Sequence, residues 1–496
     1  MQATPSKTGS ARGEKGAGGR ADGTPLGPIA SEMGGLLDGL RQALAMPRAR
    51  KIHKVGFEAE YLVLEEDGAV SVRADELISR TRLPDSGCSL HHDYTHNMIE
   101  LTSPAGPRVR PVARSWLEAM ARVLDEAARL KLRIYPYGTY TGTHAPAVRT
   151  DARYRMQEEV LGPERLRDAG GHCLGFHLHY CLPHGTFGRG ARTLRQLFRS
   201  KGRDQLLSLY NLILACDPAV TNLMESSPFI DGAHRAKDSR AFLYRAMRLG
   251  RGPDALKGLY YDLPLFGRLP RYAHAISDLI LLGEQRQRLW REIVEERHPA
   301  YLELADSLHP LQFNWSPLRI NRIGTLEYRG LDSNLPSHII GTSLLLKYLL
   351  HQVQEEGLRV VPSDIGIREP FRREGELLHV PPFSYLDEVL QFKSALGGLE
   401  DAEVARYTRR FAALAMLSVP SRRDPGLERV RRIVQERRTK SDEMLARARR
   451  LGWDGEGRLG EETARALALE ACGELEGEVR RMAGMELAID SEDAQA

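Results

Sequence analysis

Three short stretches of the chain alternate strictly between apolar and ionisable residues. In GFEAEYLVL, Glu58 and Glu60 alternate with Phe57, Ala59, Tyr61 and Val63. Residues i and i+2 of a strand share a face, so a strand here sets two carboxylates side by side opposite an apolar face. GFHLHYCL does the same with His177 and His179 against Phe176, Leu178, Tyr180 and Leu182. GTLEYRGL sets Glu327 and Arg329 against Leu326 and Tyr328. A fourth piece, NMIELTSP, places Glu100 between Ile99 and Leu101, with Asp93 upstream in a predicted loop.

Helical spacing separates these strands. It predicts helices over Ile29–Ala45, Trp116–Leu132, Leu206–Met224, Ser277–Arg297 and Thr342–Gln354. Turns are predicted at Asp67-Gly68 and at Gly324, the latter joining two short strands of FNWSPLRINRIGTLEYRGLDSN. The polar segment around SSPFIDGAHRAKDSRAFLYR reads as a functional loop. A stretch containing Pro370, Pro381 and Pro382 precedes an Arg/Glu-rich helical region. The βαβ rhythm of a parallel sheet is absent, so the predicted class is α+β, an antiparallel sheet with helices packed on it. The predicted divisions are a disordered tail over 1–28, a main domain over 29–383 and a helical C-terminal extension over 384–496.

Composition narrows the class of partner. Seventy basic residues against 66 acidic ones give a net charge of +4, too even to argue for nucleic acid. Arginines 429, 431, 432, 437 and 438 cluster with Lys440, but Glu428, Glu436, Asp442 and Glu443 dilute them, the pattern of a solvated helix face. Five cysteines, an odd number without a CxxC pair, fit a reducing compartment better than a disulfide scaffold. No uninterrupted apolar run reaches the ~18 residues of a membrane span, and the N-terminus lacks the apolar core of a secretory signal. The expectation is a cytoplasmic protein without membrane or nucleic-acid partners. Whether copies associate as a homo-oligomer stays open.

Taken singly, each charged strand has an ordinary explanation: a solvated edge, a surface histidine pair, a same-strand ion pair. Their repetition, with flanking glycines, points elsewhere. If these faces line one cavity, the carboxylates repel by roughly 4 kcal/mol per pair at ~4 Å and an effective dielectric near 20. Divalent cations resolve that repulsion. Carboxylate oxygens suit Mg2+ or Mn2+, and Mg2+ commonly sits where phosphates complete its shell. The set points to phosphoryl chemistry on a nucleotide, with a strand arginine stabilising the moving phosphate.

GFEAEYLVL, DYTHNMIELTSP, YTGTHAPAVRTDARYR, GFHLHY, SSPFIDG and GTLEYRGLDSN occur in the order seen in glutamate–cysteine ligases and related carboxylate–amine ligases, which this chain resembles over roughly residues 52–360. The resemblance implies a glutamine-synthetase-like fold, an antiparallel sheet funnel with helices packed outside it. It also implies ATP as co-substrate, Mg2+ or Mn2+ as cofactor, and small-molecule substrates: an amino acid or other carboxylate, and an amine. By the same resemblance, Glu60 and Glu100 serve one metal, Glu58 and Glu327 serve another together with the metal-binding His177, and Asp93 is a further metal residue of the second acidic segment. Arg329 faces the nucleotide's terminal phosphate, with His179 beside the nucleotide. Arg240 holds the amino-acid substrate, with Arg245 as the alternative and His144 as a further contact. The implied reaction forms an acyl phosphate, and an amine then displaces phosphate to leave a γ-glutamyl-type amide. The chain departs from many carboxylate–amine ligases at Ala59, where they carry a third acid.

Two other readings compete: a zinc hydrolase built from HHDYTH and HLH, and a non-catalytic scaffold of the same fold. No HExxH or GxxxxGK[ST] motif occurs, which argues against a zincin or a P-loop kinase. Which acid and amine are joined is not readable from sequence. Nor are the oligomeric state, the purpose of the C-terminal extension or the roles of His91, His92 and His96.

Overall fold

Val55–Glu65 forms an 11-residue strand, β1, because its apolar parity has a helix layer to bury against. The computed structural model describes residues 53–493 apart from 253, 254 and 422. The helix predicted over Ile29–Ala45 and the predicted disordered tail lie outside the described residues.

Beside β1 run β2 (Ser89–His92), β3 (Met98–Thr102), β4 (Leu132–Tyr135), β5 (Gly175–Cys181), β6 (Leu318–Asn321) and β7 (Thr325–Asp332). The sheet order is β6-β7-β5-β1-β3-β2, and β4 pairs with the far end of β1. Every neighbouring pair in this sheet is antiparallel. Gly324, with φ of +86°, makes the tight β6–β7 turn that its missing Cβ permits.

One face of the sheet is apolar. Phe57 meets Trp116 edge-on at 6.4 Å and Phe176 at 5.7 Å. Trp116 belongs to α1 (Val109–Arg129), whose Val112, Ala113, Trp116, Met120, Val123 and Leu124 recur at helical spacing and are buried. α2 (Lys201–Met224) and α3 (Pro336–Glu356) contact each other, and α2 also contacts β7. Fully burying one such large side chain is worth about 1.5–3 kcal/mol. The Ser200 hydroxyl caps α2 by accepting from Arg203 N–H at 3.1 Å, and Gly357, at φ +67°, ends α3. Among the described residues α2 is the one helix long and apolar enough to cross a membrane, and that stretch is wholly buried in the protein.

The C-terminal helices are α4 (Ala402–Ser418), α5 (Pro425–Glu436), α6 (Lys440–Arg450) and α7 (Glu461–Asp493). Phe411 of α4, Val430 of α5 and Leu475 of α7 belong to the same hydrophobic core as Phe57 and Trp116. The core therefore runs without a break past residue 384.

Observed helices begin earlier than the periodicity predicts. α1 starts at Val109 rather than Trp116, and α3 at Pro336 rather than Thr342. Pro111 and Pro336 lie in first turns, where a missing N–H costs nothing. The proline-rich stretch also holds a small sheet of Arg359–Pro362, Arg372–Glu374 and Leu377–Val380, which the sequence pattern does not predict.

Candidate active site

The register of the main sheet puts the ionisable parity of five strands on one face. Glu60 lies opposite Glu100, Glu58 opposite His177, and Glu327 opposite both His179 and Arg319. A bulge in the β5–β7 pairing after Tyr328 re-aims the chain at Arg329 and Gly330. Asp93 comes from the β2–β3 connection.

Three overlapping sets of donor atoms result, each within 4.8 Å: Glu60, Asp93 and Glu100; Glu58, His179 and Glu327; Glu58, Glu100 and His177. The resemblance placed His177 with Glu58 and Glu327 and put His179 beside the nucleotide. In the structure His179 is the imidazole grouped with Glu58 and Glu327, its Nε2 3.0 Å from Glu58. His177 lies between the two glutamates of β1, 3.1 Å from Glu58 and 3.4 Å from Glu60. Its Nδ1 is 3.9 Å from Glu327.

The electrostatics of these acids divide along the sheet. Burial raises Glu60 to about 8, helped by the charge of Asp93. Burial likewise raises Asp93, and it raises Glu100 well above the usual carboxylate range with Glu58 and Asp93 adding repulsion. On the other side, burial opposes ionisation of Glu58, but hydrogen bonds from His177 and His179 hold it well below its usual value. Burial also opposes ionisation of Glu327, yet Arg319, His179 and Arg329 hold it at about 2. Burial next to Arg329 brings His177 down to about 4, so its imidazole is neutral at neutral pH. Burial works against protonation of His179, but Glu58 and Glu327 outweigh it and raise the imidazole.

The donor set fits hard divalent cations. Five carboxylates and two imidazoles converge, and burial and mutual repulsion push Glu60, Asp93 and Glu100 toward protonation, the sign of a site short of positive charge.

Two further residues belong to this face. Arg319 donates to Glu327 at 2.5 Å, as does the Asn321 amide at 2.5 Å. Sequence reasoning passed over both, although LRIN carries the signal: Arg319 and Asn321 alternate with Leu318 and Ile320. Arg329 reaches Glu327 at 3.4 Å and the Tyr244 hydroxyl at 3.4 Å, and its buried Nε has no hydrogen-bond partner.

The two candidate substrate arginines have different surroundings. Arg240 is buried over Gly175, where any Cβ would collide with the guanidinium, and its Nε has no hydrogen-bond partner. Its charge bears on Glu60. Arg245 forms a bidentate pair with buried Asp217 at 2.6 and 3.0 Å and donates to the Gly330 carbonyl at 2.8 Å. That guanidinium is fully engaged in the core, which leaves Arg240 as the arginine beside the acidic face. His144 packs edge-on against His172 with ring centroids 4.4 Å apart, and burial lowers it to about 3.

The histidines of HHDYTH do not assemble with HLH. His91 and His92 lie exposed on the edge strand β2, and His96 pairs with Asp75 at 2.9 Å. No grouping of them with His177 or His179 occurs among the described residues.

Several solved structures are similar at low identity. A bifunctional glutathione synthetase from Pasteurella multocida aligns with TM-score 0.49 and 14% identity over 85% of this chain and 52% of its own. The chain thus spans about half the length of that enzyme. A glutamate–cysteine ligase from Francisella tularensis, solved in complex with AMP, aligns with TM-score 0.46 and 14% identity over 89% of this chain and 94% of its own. No curated protein matches the sequence. Residues 54–465 match the model of glutamate–cysteine ligase family 2 (GCS2), a span that reaches beyond residue 360, where the motif resemblance ends. The chain belongs to glutamate–cysteine ligase family 2.

Proposed function

We propose that this chain joins the carboxylate of an amino acid to an amine through an acyl phosphate, with glutamate and cysteine as the leading pair. The observation that carries this reading is the convergence of Glu58, Glu60, Asp93, Glu100, Glu327, His177 and His179 into overlapping donor sets on one sheet face. Within it, Glu60, Asp93 and Glu100 hold one divalent cation, and Glu58, His179 and Glu327 hold a second, with His177 between them. Bound there, Mg2+ or Mn2+ would neutralise the acids and the phosphate oxygens of ATP.

The protein's own side chains position and stabilise. Arg240, buried beside the acids with an unpartnered Nε, holds the substrate's carboxylate end. Arg329 keeps spare donors toward the terminal phosphate, while Glu327 and Tyr244 fix its guanidinium. An oxygen of the substrate carboxylate attacks the γ-phosphorus, and the bond from that phosphorus to the ADP oxygen breaks. The amine nitrogen then attacks the acyl carbon, phosphate leaves with the surplus proton, and an amide remains. A guanidinium is suited to the phosphoryl step because it offers planar paired donors and cannot deprotonate.

The test is a screen of amino acids and amines for Mg2+-dependent ADP formation, with products identified by mass. Stoichiometric ADP and a new amide only when acid, amine and Mg2+ are all present is the expected result. Amide formation without ATP, or no ADP with any pair, overturns the reading.

A further inference from the structure

The opposite face of the same sheet carries a second cluster of donors, with different chemistry. His53 continues the apolar parity of β1, the parity of Val55 and Phe57, because the Cys181 N–H donates to the Lys54 carbonyl at 3.1 Å and keeps the pairing going past the strand end. Its ring lies against Tyr180 of β5, centroids 6.0 Å apart and only 14° from parallel. The Tyr180 hydroxyl in turn donates to Gln354 of α3 at 3.0 Å, which fixes the helix over this spot. One turn of α3 then presents His351 and Glu355, four residues apart and so on one side of the helix. The rings of His53 and His351 are 5.5 Å apart, and His53 Nε2 lies 3.5 Å from a Glu355 oxygen. One donor atom from each of the three lies within 4.8 Å of the others.

We propose that His53, His351 and Glu355 bind a structural transition-metal dication, Zn2+ by preference, that ties the start of β1 to α3. Two imidazoles and one carboxylate form a donor set that favours Zn2+ over the Mg2+ suited to the carboxylate-rich catalytic face. A tetrahedral Zn2+ with bonds of ~2.0–2.1 Å spaces its donors about 3.4 Å apart. The His53–Glu355 separation of 3.5 Å already matches that spacing. The Glu355 side chain is 56% exposed, so the cluster opens to solvent on one side, giving the ion an entry path and a water as fourth ligand. The parity of β1 puts this cluster on the other side of the sheet from Glu58 and Glu60, so the two sites take their donors independently.

The experiment uses the full chain in excess Mg2+, with Co2+ as the visible-absorption probe and Zn2+ as competitor. Variants His351→Asn and Glu355→Gln are compared with the wild type. Glu355 is half in solvent, so its variant keeps the fold, and equal melting temperatures in EDTA verify this for both. The wild type should bind one more equivalent than His351→Asn, and Glu355→Gln should weaken that equivalent at least tenfold. Zn2+ should also raise the melting temperature of the wild type more than that of either variant. Equal stoichiometry and affinity in all three proteins, or no Zn2+ uptake by the wild type in excess Mg2+, would overturn the proposal and leave the cluster a histidine–glutamate ion pair.

Discussion

Glu100→Gln should stabilise the metal-free protein and destabilise the metal-bound one relative to wild type. Glu100 is raised by burial and by the charges of Glu58, Asp93, Glu60 and Glu327. A like charge at the 4.8 Å limit of the donor sets costs about 3.5 kcal/mol at an effective dielectric near 20. The carboxyl escapes part of that cost by taking up a proton. At pH 7, some 2.5 units above the ordinary 4.5, protonation caps the penalty at about 3.4 kcal/mol. An isosteric amide removes the penalty, so the expected gain is roughly 2–3 kcal/mol. At about 2.1 cal/mol/K per residue, a chain of 496 residues changes melting temperature by about 1 °C per kcal/mol. Melts in EDTA should therefore show the variant about 2–3 °C above wild type. Melts in millimolar Mg2+ should reverse the order, because the variant has lost a carboxylate shared by two of the candidate donor sets. A metal-free variant that melts below wild type, or an Mg2+-dependent rise that survives the substitution, would show that Glu100 is neither charge-strained nor a cation donor.

Asp217→Ala should cost about 3–5 kcal/mol in chemical denaturation, because it strands the buried Arg245 guanidinium without its bidentate partner, while the Mg2+-dependent rise in melting temperature persists. Glu474 links α6 and α7: burial opposes its charge, but Lys440, Tyr137 and Arg447 hold it below 4.5. An acid with a depressed folded value contributes stability that is present above 4.5 and lost as pH falls through that lower value. Glu474→Gln should therefore lower stability by about 1–3 kcal/mol at pH 7 and converge on wild type in denaturation curves taken well below pH 4.

The ionisable face of the sheet was legible because its signal is local. Glu58 and Glu60, His177 and His179, and Glu327 and Arg329 each alternate with apolar neighbours, and a period of two needs no tertiary information. Arg319 and Asn321 in LRIN were missed, although the same alternation is equally plain there. What sequence could not settle was pairing at a distance. Nothing local distinguishes Arg240 from Arg245; the difference is Asp217, buried in α2 and 28 residues away. The grouping of His179 rather than His177 with Glu327 depends on the β5–β7 register, which puts Glu327 opposite His179. Apolar spacing missed the first turns of two helices, where Pro111 and Pro336 sit at positions that favour proline.

If acids and imidazoles on one sheet face hold the cations that serve ATP, bound Mn2+ counted by electron paramagnetic resonance with ATP present will differ between the wild type and Glu327→Gln. At least two ions per chain in the wild type and one fewer in the variant, with catalytic turnover lost, is the predicted result. An unchanged count, or full turnover in the variant, would contradict it.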